Sequence, residues 1–252
     1  MNTDALKDLL LRMADDALII GHRHSEWTGL GPVLEEDIAF SSIAQDKIGH
    51  SLALFQLLEA LGAPDPNTYA FTRDEKEYRC CHFVELPNGE YDFSLVRHFL
   101  FDTAEYVRYN MLSTSSYEPL AKLAKKIHGE IKYHVYHGKT WFVQLSSQGT
   151  DESRARMQSA LNEAMPYALG IFETGVNEGA MASDGIFAGE GALRERWLQL
   201  VTETVTAAGL NMPDVSAMTP VLGGRKGYHT EHLQPLLTEM TEVFRVDPQA
   251  EW

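Results

Sequence analysis

Apolar residues recur at steps of three and four along most of this chain, and no segment carries a convincing set of alternating strands. The pattern predicts a first amphipathic helix over residues 4–26, stopped by the breakers Gly29, Gly31 and Pro32. A second is predicted over 33–61, ending at Gly62 and Pro64, a third over 93–112 and a fourth over 119–145. A fifth opens after Asp151, with Pro166 expected to kink it. Further helices are predicted over 192–207 and 229–244.

The spacing between helices carries topology. The first and second are joined tightly, as are the third and fourth. Between the second and third lies the long stretch 62–92, punctuated by Pro64, Pro66, Pro87, Asn88 and Gly89. A simple up-down bundle needs only short loops there. Two helical hairpins joined by one long crossover is the connectivity of ferritin-like bundles. No low-complexity linker divides the chain, so the expectation is one all-α domain over 1–252, a ferritin-like four-helix bundle with C-terminal helices packed on it.

Composition narrows the function classes. With 44% hydrophobic residues in 252 the chain has enough apolar surface for a substantial core. A formal charge of -15 repels nucleic acid and anionic membranes, which are excluded as general partners. The cysteines, Cys80 and Cys81, are neighbours and offer no disulfide framework, which fits a reducing compartment. The charged residues Lys7, Asp8, Arg12, Asp15 and Asp16 mark the N-terminal segment as an amphipathic helix, neither signal peptide nor membrane span, and a cytoplasmic location is expected.

The second helix carries a seam of Phe40, Ile43, Lys47, His50, Leu54, Leu57 and Leu61, and the fourth carries Ala124, Ile127, Ile131, His134, Gly138, Trp141 and Leu145. A histidine thus sits at the matching core position of each hairpin's second helix. Carboxylate-bridged di-metal bundles place Glu-x-x-His there, so that both ligands share one face. Here Lys47 and Ile131 occupy the glutamate positions, and none of the ten histidines has Asp or Glu three residues before it. No metal is therefore expected in this chain. Asp46-x-x-x-His50 and Glu130-x-x-x-His134 keep a spacing of four, which suits an unusual metal site or, the favoured reading, carboxylate-to-imidazole hydrogen bonds. Lys47 needs a carboxylate if buried, with Asp16, Asp102 and Glu105 as candidates.

Other groups have plainer readings. His229 and His232 share a helical spacing and follow the loop Gly223-Gly224-Arg225-Lys226-Gly227. They suggest contact with a partner or an anionic group such as a phosphate, with Arg225 and Lys226 as the cations. The competing reading is a solvated turn and a helix start in which Thr230 and Glu231 satisfy free backbone donors. His22, Arg23, His24 and Glu26 suit the C-terminal end of the first helix, and Glu35, Glu36 and Asp37 the first turn of the second. Trp27, Trp141 and Trp197 read as core or interface anchors. No nucleophile elbow, phosphate-binding glycine loop, dinucleotide fingerprint or zinc-finger spacing occurs.

Several segments, in order, resemble a known family: HRHSEWTG, LEEDIAFSSIAQDKIG, FTRDEKEYRCCHFVELPNGEYDF, EIKYHVYHGKTW, GTDESRARMQSALN and GGRKGYHTEHLQPLLTEM, closing with Glu251-Trp252. The chain resembles the C subunits of the multicomponent bacterial phenylacetyl-CoA epoxidase from about residue 15 to its end. That family more often has glutamine at position 50 and an apolar residue at 47. The resemblance implies a ferritin-like paralogue of the catalytic A subunit that has lost its metal ligands. It implies binding to that catalytic partner, which holds the di-iron centre that epoxidises the aromatic ring, within a hetero- or homo-oligomer that also contains a reductase. Two other functions compete: an independent di-metal oxidase or oxygenase using Asp46, His50, Glu130 and His134, and a free-standing acyl-CoA binding module.

Overall fold

The computed structural model describes residues 1–248; Glu251 and Trp252, on which the resemblance closes, lie outside the described residues. In chain order the helices are α1 (Thr3–Ser25), α2 (Leu34–Ala60), α3 (Pro66–Phe71), α4 (His82–Glu85) and α5 (Tyr91–Leu112). They continue with α6 (Glu118–Ser147), α7 (Asp151–Gly170), α8 (Glu178–Ser183), α9 (Glu190–Ala207) and α10 (Leu233–Val246). Short 3-10 turns occur at Glu75–Glu77 and Gly224–Lys226, and no strand occurs among the described residues. The fold class is all-α, and long hairpin, long crossover, long hairpin is the element order of ferritin-like proteins. No described helix is long and apolar enough to cross a membrane.

Local chemistry accounts for several starts and stops. Thr150 caps α7 by accepting from the Ser153 amide, and Asp65 does the same for α3 from Thr68. The helix α7 runs through Pro166, whose carbonyl accepts from the Val221 amide at 3.0 Å. The predicted C-terminal helix begins at Leu233, four residues later than its periodicity suggests. Its expected first turn is held elsewhere: the Thr230 amide and hydroxyl both donate to Glu85 Oε2, at 2.8 and 2.7 Å.

The two seams differ from expectation at their C-terminal ends. Along α2 the buried stripe runs Phe40, Ile43, Lys47, His50, Leu54, Phe55 and Leu58, leaving Leu57 and Leu61 half-buried. Along α6, Phe142 and Ser146 take the buried places expected for Trp141 and Leu145. A straight helix of 3.6 residues per turn drifts about 20° per heptad against a strict 3.5 repeat, roughly half a residue step over two to three heptads, which is enough to bring the neighbouring position onto the stripe.

The described residues group into two compact units. One comprises residues 1–6 and 88–222 and is organised on α5, which packs against α6, α7 and α9. Its core includes Phe99 stacked on Phe142 with ring centroids 4.6 Å apart, and Trp197, whose indole N–H donates to the Leu100 carbonyl. Arg108 and Glu190 form a buried ion pair at 2.9 Å between α5 and α9.

The other unit comprises residues 7–87 and the tail from residue 223. Here Phe40 of α2 receives His24 and Trp27, and Phe55 stacks on Tyr69. The helix α10 packs on α3, where Phe71 stacks on Phe244. Two buried aspartates of α1 anchor the unit. Asp15 pairs with Arg73 and also accepts from the Arg79 amide, while Asp16 pairs with Arg225 and accepts from the Cys81 amide.

Candidate functional site

In the unit built on α5, the seam histidine of α6 meets a carboxylate of α5. His134 Nδ1 lies 3.1 Å from Asp102 Oδ1, and His98 Nδ1 lies 2.8 Å from Asp102 Oδ2. His137, one turn beyond His134, places its Nδ1 3.2 Å from His98 Nε2. All four side chains are buried, at most 7% exposed. One assignment of protons satisfies the whole set: His98 and His134 each donate Nδ1–H to Asp102, and His137 donates Nδ1–H to the unprotonated Nε2 of His98. In this assignment each oxygen of the Asp102 carboxylate accepts one imidazole hydrogen bond.

The backbone makes room for this arrangement at Gly138. A Cβ there would stand 3.0 Å from His98 Cδ2 and 3.2 Å from the Phe99 Cα, tighter than ordinary packing. The glycine in the α6 seam is a consequence of the imidazole packed against it.

Burial holds the His98 imidazole below its ordinary pKa; the Asp102 carboxylate pulls upward, and His137 and His134 push down. The unfolded chain then takes up a proton at His98 near pH 6.5 that the folded chain resists. The unfolded state therefore binds more protons, and stability rises with pH. The His98 contribution should be complete above about pH 6.5 and shrink progressively as pH falls below that value, by at most about 1.4 kcal/mol per pH unit. Urea midpoints measured from pH 7.5 to 5 should slope more steeply for the wild type than for His98→Gln.

The positions that stand out in the sequence divide as follows. Lys47 is fully buried on α2 and His50 is 3% exposed, while Asp46 and Glu130 are half-buried. Ile131 is fully buried and offers no ligand atom. His134 has its Nδ1 turned to Asp102, a partner on the neighbouring helix that its own helix does not announce. Asp16, one of the counter-charges considered for Lys47, accepts both terminal nitrogens of Arg225. His98 and His137 carry no mark in the helical seams. Their signal is His98-x-x-x-Asp102 on a helix that buries nearly every face.

The donor set does not fit a carboxylate-bridged pair of metals. Such a site draws a Glu-x-x-His pair from α2 and from α6 together with further carboxylates. Position 131 of α6, where such a glutamate would stand, carries a branched hydrocarbon, and Asp102 Oδ1 and Oδ2 each meet an imidazole nitrogen, at 3.1 and 2.8 Å.

The tail residues read as partner or anion contacts have a different placement. Arg225 is 5% exposed and turned inward: its Nη1 and Nη2 reach Asp16 at 2.8 and 2.7 Å, and Nη1 also donates to the Arg79 carbonyl. A guanidinium committed to a buried carboxylate is not offered to an external phosphate. His229 is likewise internal, with Nδ1 2.7 Å from Glu85 Oε1 and Nε2 donating to the Tyr78 carbonyl. Lys226 is exposed, and His232 is half-buried beside Glu231. The glycines of the loop serve close approach: a Cβ on Gly224 would stand 2.2 Å from the Cys80 carbonyl oxygen. Gly227, at φ 79°, lies as close to the Lys76 carbonyl. The loop is a packing surface for residues 76–81.

Comparison with known proteins yields a family model described as phenylacetic acid catabolic protein, which matches residues 1–252. The C subunit of the 1,2-phenylacetyl-CoA epoxidase of Escherichia coli (strain K12) is 34% identical over 243 residues, covering 96% of this chain and 97% of that protein. The A subunit of the epoxidase from the same organism is 24% identical over 226 residues, covering 84% of this chain and 71% of the relative.

Proposed function

The chain belongs to the phenylacetic acid catabolic protein family, and from that premise we propose that it is the structural, non-catalytic member of a phenylacetyl-CoA epoxidase complex. The observation that supports this reading is the buried network of His98, Asp102, His134 and His137, in which hydrogen bonds between side chains engage groups of the type a di-metal bundle uses as ligands. Identity to an epoxidase C subunit over nearly the full length of both chains supports the same assignment. The weaker likeness to the A subunit fits descent of the two from one ancestor.

The physical role follows from what the network does. A metal cross-links facing helices and fixes their side chains; a fully satisfied hydrogen-bond network does the same without a cation. The chain presents rigid helix faces to its catalytic partner, as expected of a paralogous pair derived from a symmetric dimer. It holds the partner's metal-bearing helices in place without contributing a ligand. The catalytic partner supplies the di-iron centre, a reductase supplies electrons, and the complex acts in the cytoplasm on phenylacetyl-CoA.

Co-expression with the cognate catalytic partner should give a stable complex whose iron resides in that partner. Omitting this chain should lower soluble catalytic partner and epoxidase activity at least tenfold. Equal activity without it sinks the structural reading. About two irons per chain in this protein purified alone, lost on His134→Ala, would establish an independent di-metal oxygenase instead.

A further inference from the structure

A second buried cluster lies in the other unit, where α4 and the segment before it meet the tail. Cys80 Sγ is 3.6 Å from Glu85 Oε1 and 4.0 Å from His229 Nδ1, and the last two atoms are 2.7 Å apart. A sulfur, a nitrogen and an oxygen of metal-binding type thus converge within 4.8 Å of one another. We propose that Cys80, Glu85 and His229 form a binding site for a single zinc-type divalent cation, which clips the tail to residues 78–85.

The distances suit the ion. Tetrahedral zinc, with bonds of about 2.0–2.3 Å to nitrogen, oxygen and sulfur, separates its ligand atoms by about 3.3–3.6 Å. Binding needs Nδ1 and Oε1 to part by about 0.6 Å and the sulfur to close on the imidazole by a similar amount, within the reach of side-chain rotation. A water molecule fills the fourth position.

The ligands are already oriented by neighbours. His229 Nε2–H donates to the Tyr78 carbonyl, which leaves Nδ1 as the ligating nitrogen. Glu85 Oε2 accepts from both the amide and the hydroxyl of Thr230, which leaves Oε1 facing the cysteine and histidine. The Arg23 guanidinium grips the Glu85 carbonyl, fixing the backbone that carries the carboxylate. Outer partners of this kind, a carbonyl on the imidazole and donors on the carboxylate, accompany protein metal sites.

Charge balance favours the exchange. Without metal, one hydrogen bridges His229 Nδ1 and Glu85 Oε1 across 2.7 Å and the Cys80 thiol carries another, two protons in all. One divalent cation displaces both protons and yields a thiolate, a carboxylate and a neutral imidazole around a double positive charge. A buried site therefore gains no net charge on binding, which avoids the desolvation cost that an isolated ion would carry. Burial, and then the nearby charges of Glu85, Asp15 and Asp16, push the Cys80 thiol well above its ordinary pKa. The same negative surroundings that hold the proton attract a cation in its place, and a coordinated thiol loses its proton outright.

The test uses the full chain, produced in zinc-supplemented medium and passed over a weak chelator. Wild type should carry about one zinc per chain, and Cys80→Ser at least tenfold less with unchanged helicity. Thr230→Val, which removes one outer donor, should weaken zinc affinity by about 10–100-fold. The cobalt-substituted wild type should show a thiolate-to-cobalt charge-transfer band, a readout that stands even if Cys80→Ser does not fold. Less than about a tenth of an equivalent of zinc, both as isolated and after refolding with zinc, overturns the proposal. So does zinc retained by a folded Cys80→Ser variant, or a cobalt derivative without the charge-transfer band. None of these outcomes depends on the epoxidase assignment, which is read from iron and activity.

Discussion

Replacing Asp102 by alanine should destabilise the chain by about 3–5 kcal/mol, one of the two largest single-residue effects expected outside the apolar core. The carboxylate accepts from His98 and His134, and all three side chains are fully buried. Its removal strands two imidazole N–H donors away from water, each costing about 1–3 kcal/mol, and leaves a small cavity besides. Asp102→Asn should cost less, about 1–3 kcal/mol, because the amide keeps one acceptor but turns an N–H toward the other imidazole, forcing that ring into its second tautomer. Urea unfolding of wild type, both variants and the double variant Asp102→Ala with His134→Ala measures this. The two single losses should sum to more than the double loss, since the pair shares one hydrogen bond. Additive losses, or an Asp102→Ala variant within about 0.5 kcal/mol of wild type, would refute the network as a stabilising unit.

That network also marks the limit of what periodicity reveals. The four long helices were legible because apolar steps of three and four over twenty or more residues outweigh every competing signal. The crossover was legible from its prolines. The four-residue helix α4 was not, since it is one turn placed by tertiary contacts of Glu85. The stripe positions 47, 50, 131 and 134 stand out because each α2 and α6 seam has a polar back to contrast with. Around α5 that contrast fails: Arg97, His98, Asp102, Glu105 and Arg108 are all buried, so no face stands out as the inner one. A polar residue on such a helix has to be satisfied by another element, and a single sequence does not name that element. The sequence therefore suggests Asp102 only as a counter-charge for Lys47, marks His98 by nothing but its spacing of four to Asp102, and leaves His137 unmarked.

The tail shows a motif whose chemistry is plain in the sequence and whose direction is not. Glycines, Arg225, Lys226 and two histidines in ten residues suggest an anion receiver. Internal pairing was not visible because the carboxylates that take Arg225 and His229 lie 209 and 144 residues away. The segments near residues 76–81 and 223–230, both within the resemblance, are two halves of one packed surface.

Arg225→Ala should destabilise the chain by about 3–5 kcal/mol and act first on the tail. Both partners of the Arg225–Asp16 pair are at most 5% exposed, and the guanidinium meets the carboxylate with two nitrogens. Removing the cation leaves the buried carboxylate with the Cys81 amide but without its guanidinium, a far larger loss than breaking a surface pair. Arg225→Lys should recover less than half of it, because a point-charged ammonium cannot reproduce the planar fork or the added bond to the Arg79 carbonyl. Replacing both partners, Asp16→Leu with Arg225→Met, should restore most of the stability, since apolar groups of similar volume carry no desolvation cost. Hydrogen exchange separates this from a general loss. Amides over 223–232 should exchange faster in Arg225→Ala at denaturant concentrations too low for global unfolding, while those of α5 and α6 hold their protection. Uniform acceleration across all helices would show that the pair has no local anchoring role, and a double variant as unstable as Arg225→Ala would locate the loss in packing. If the tail loosens as expected, His229 leaves Glu85 with it, and zinc affinity at Cys80 should fall in Arg225→Ala although none of its three ligands has changed.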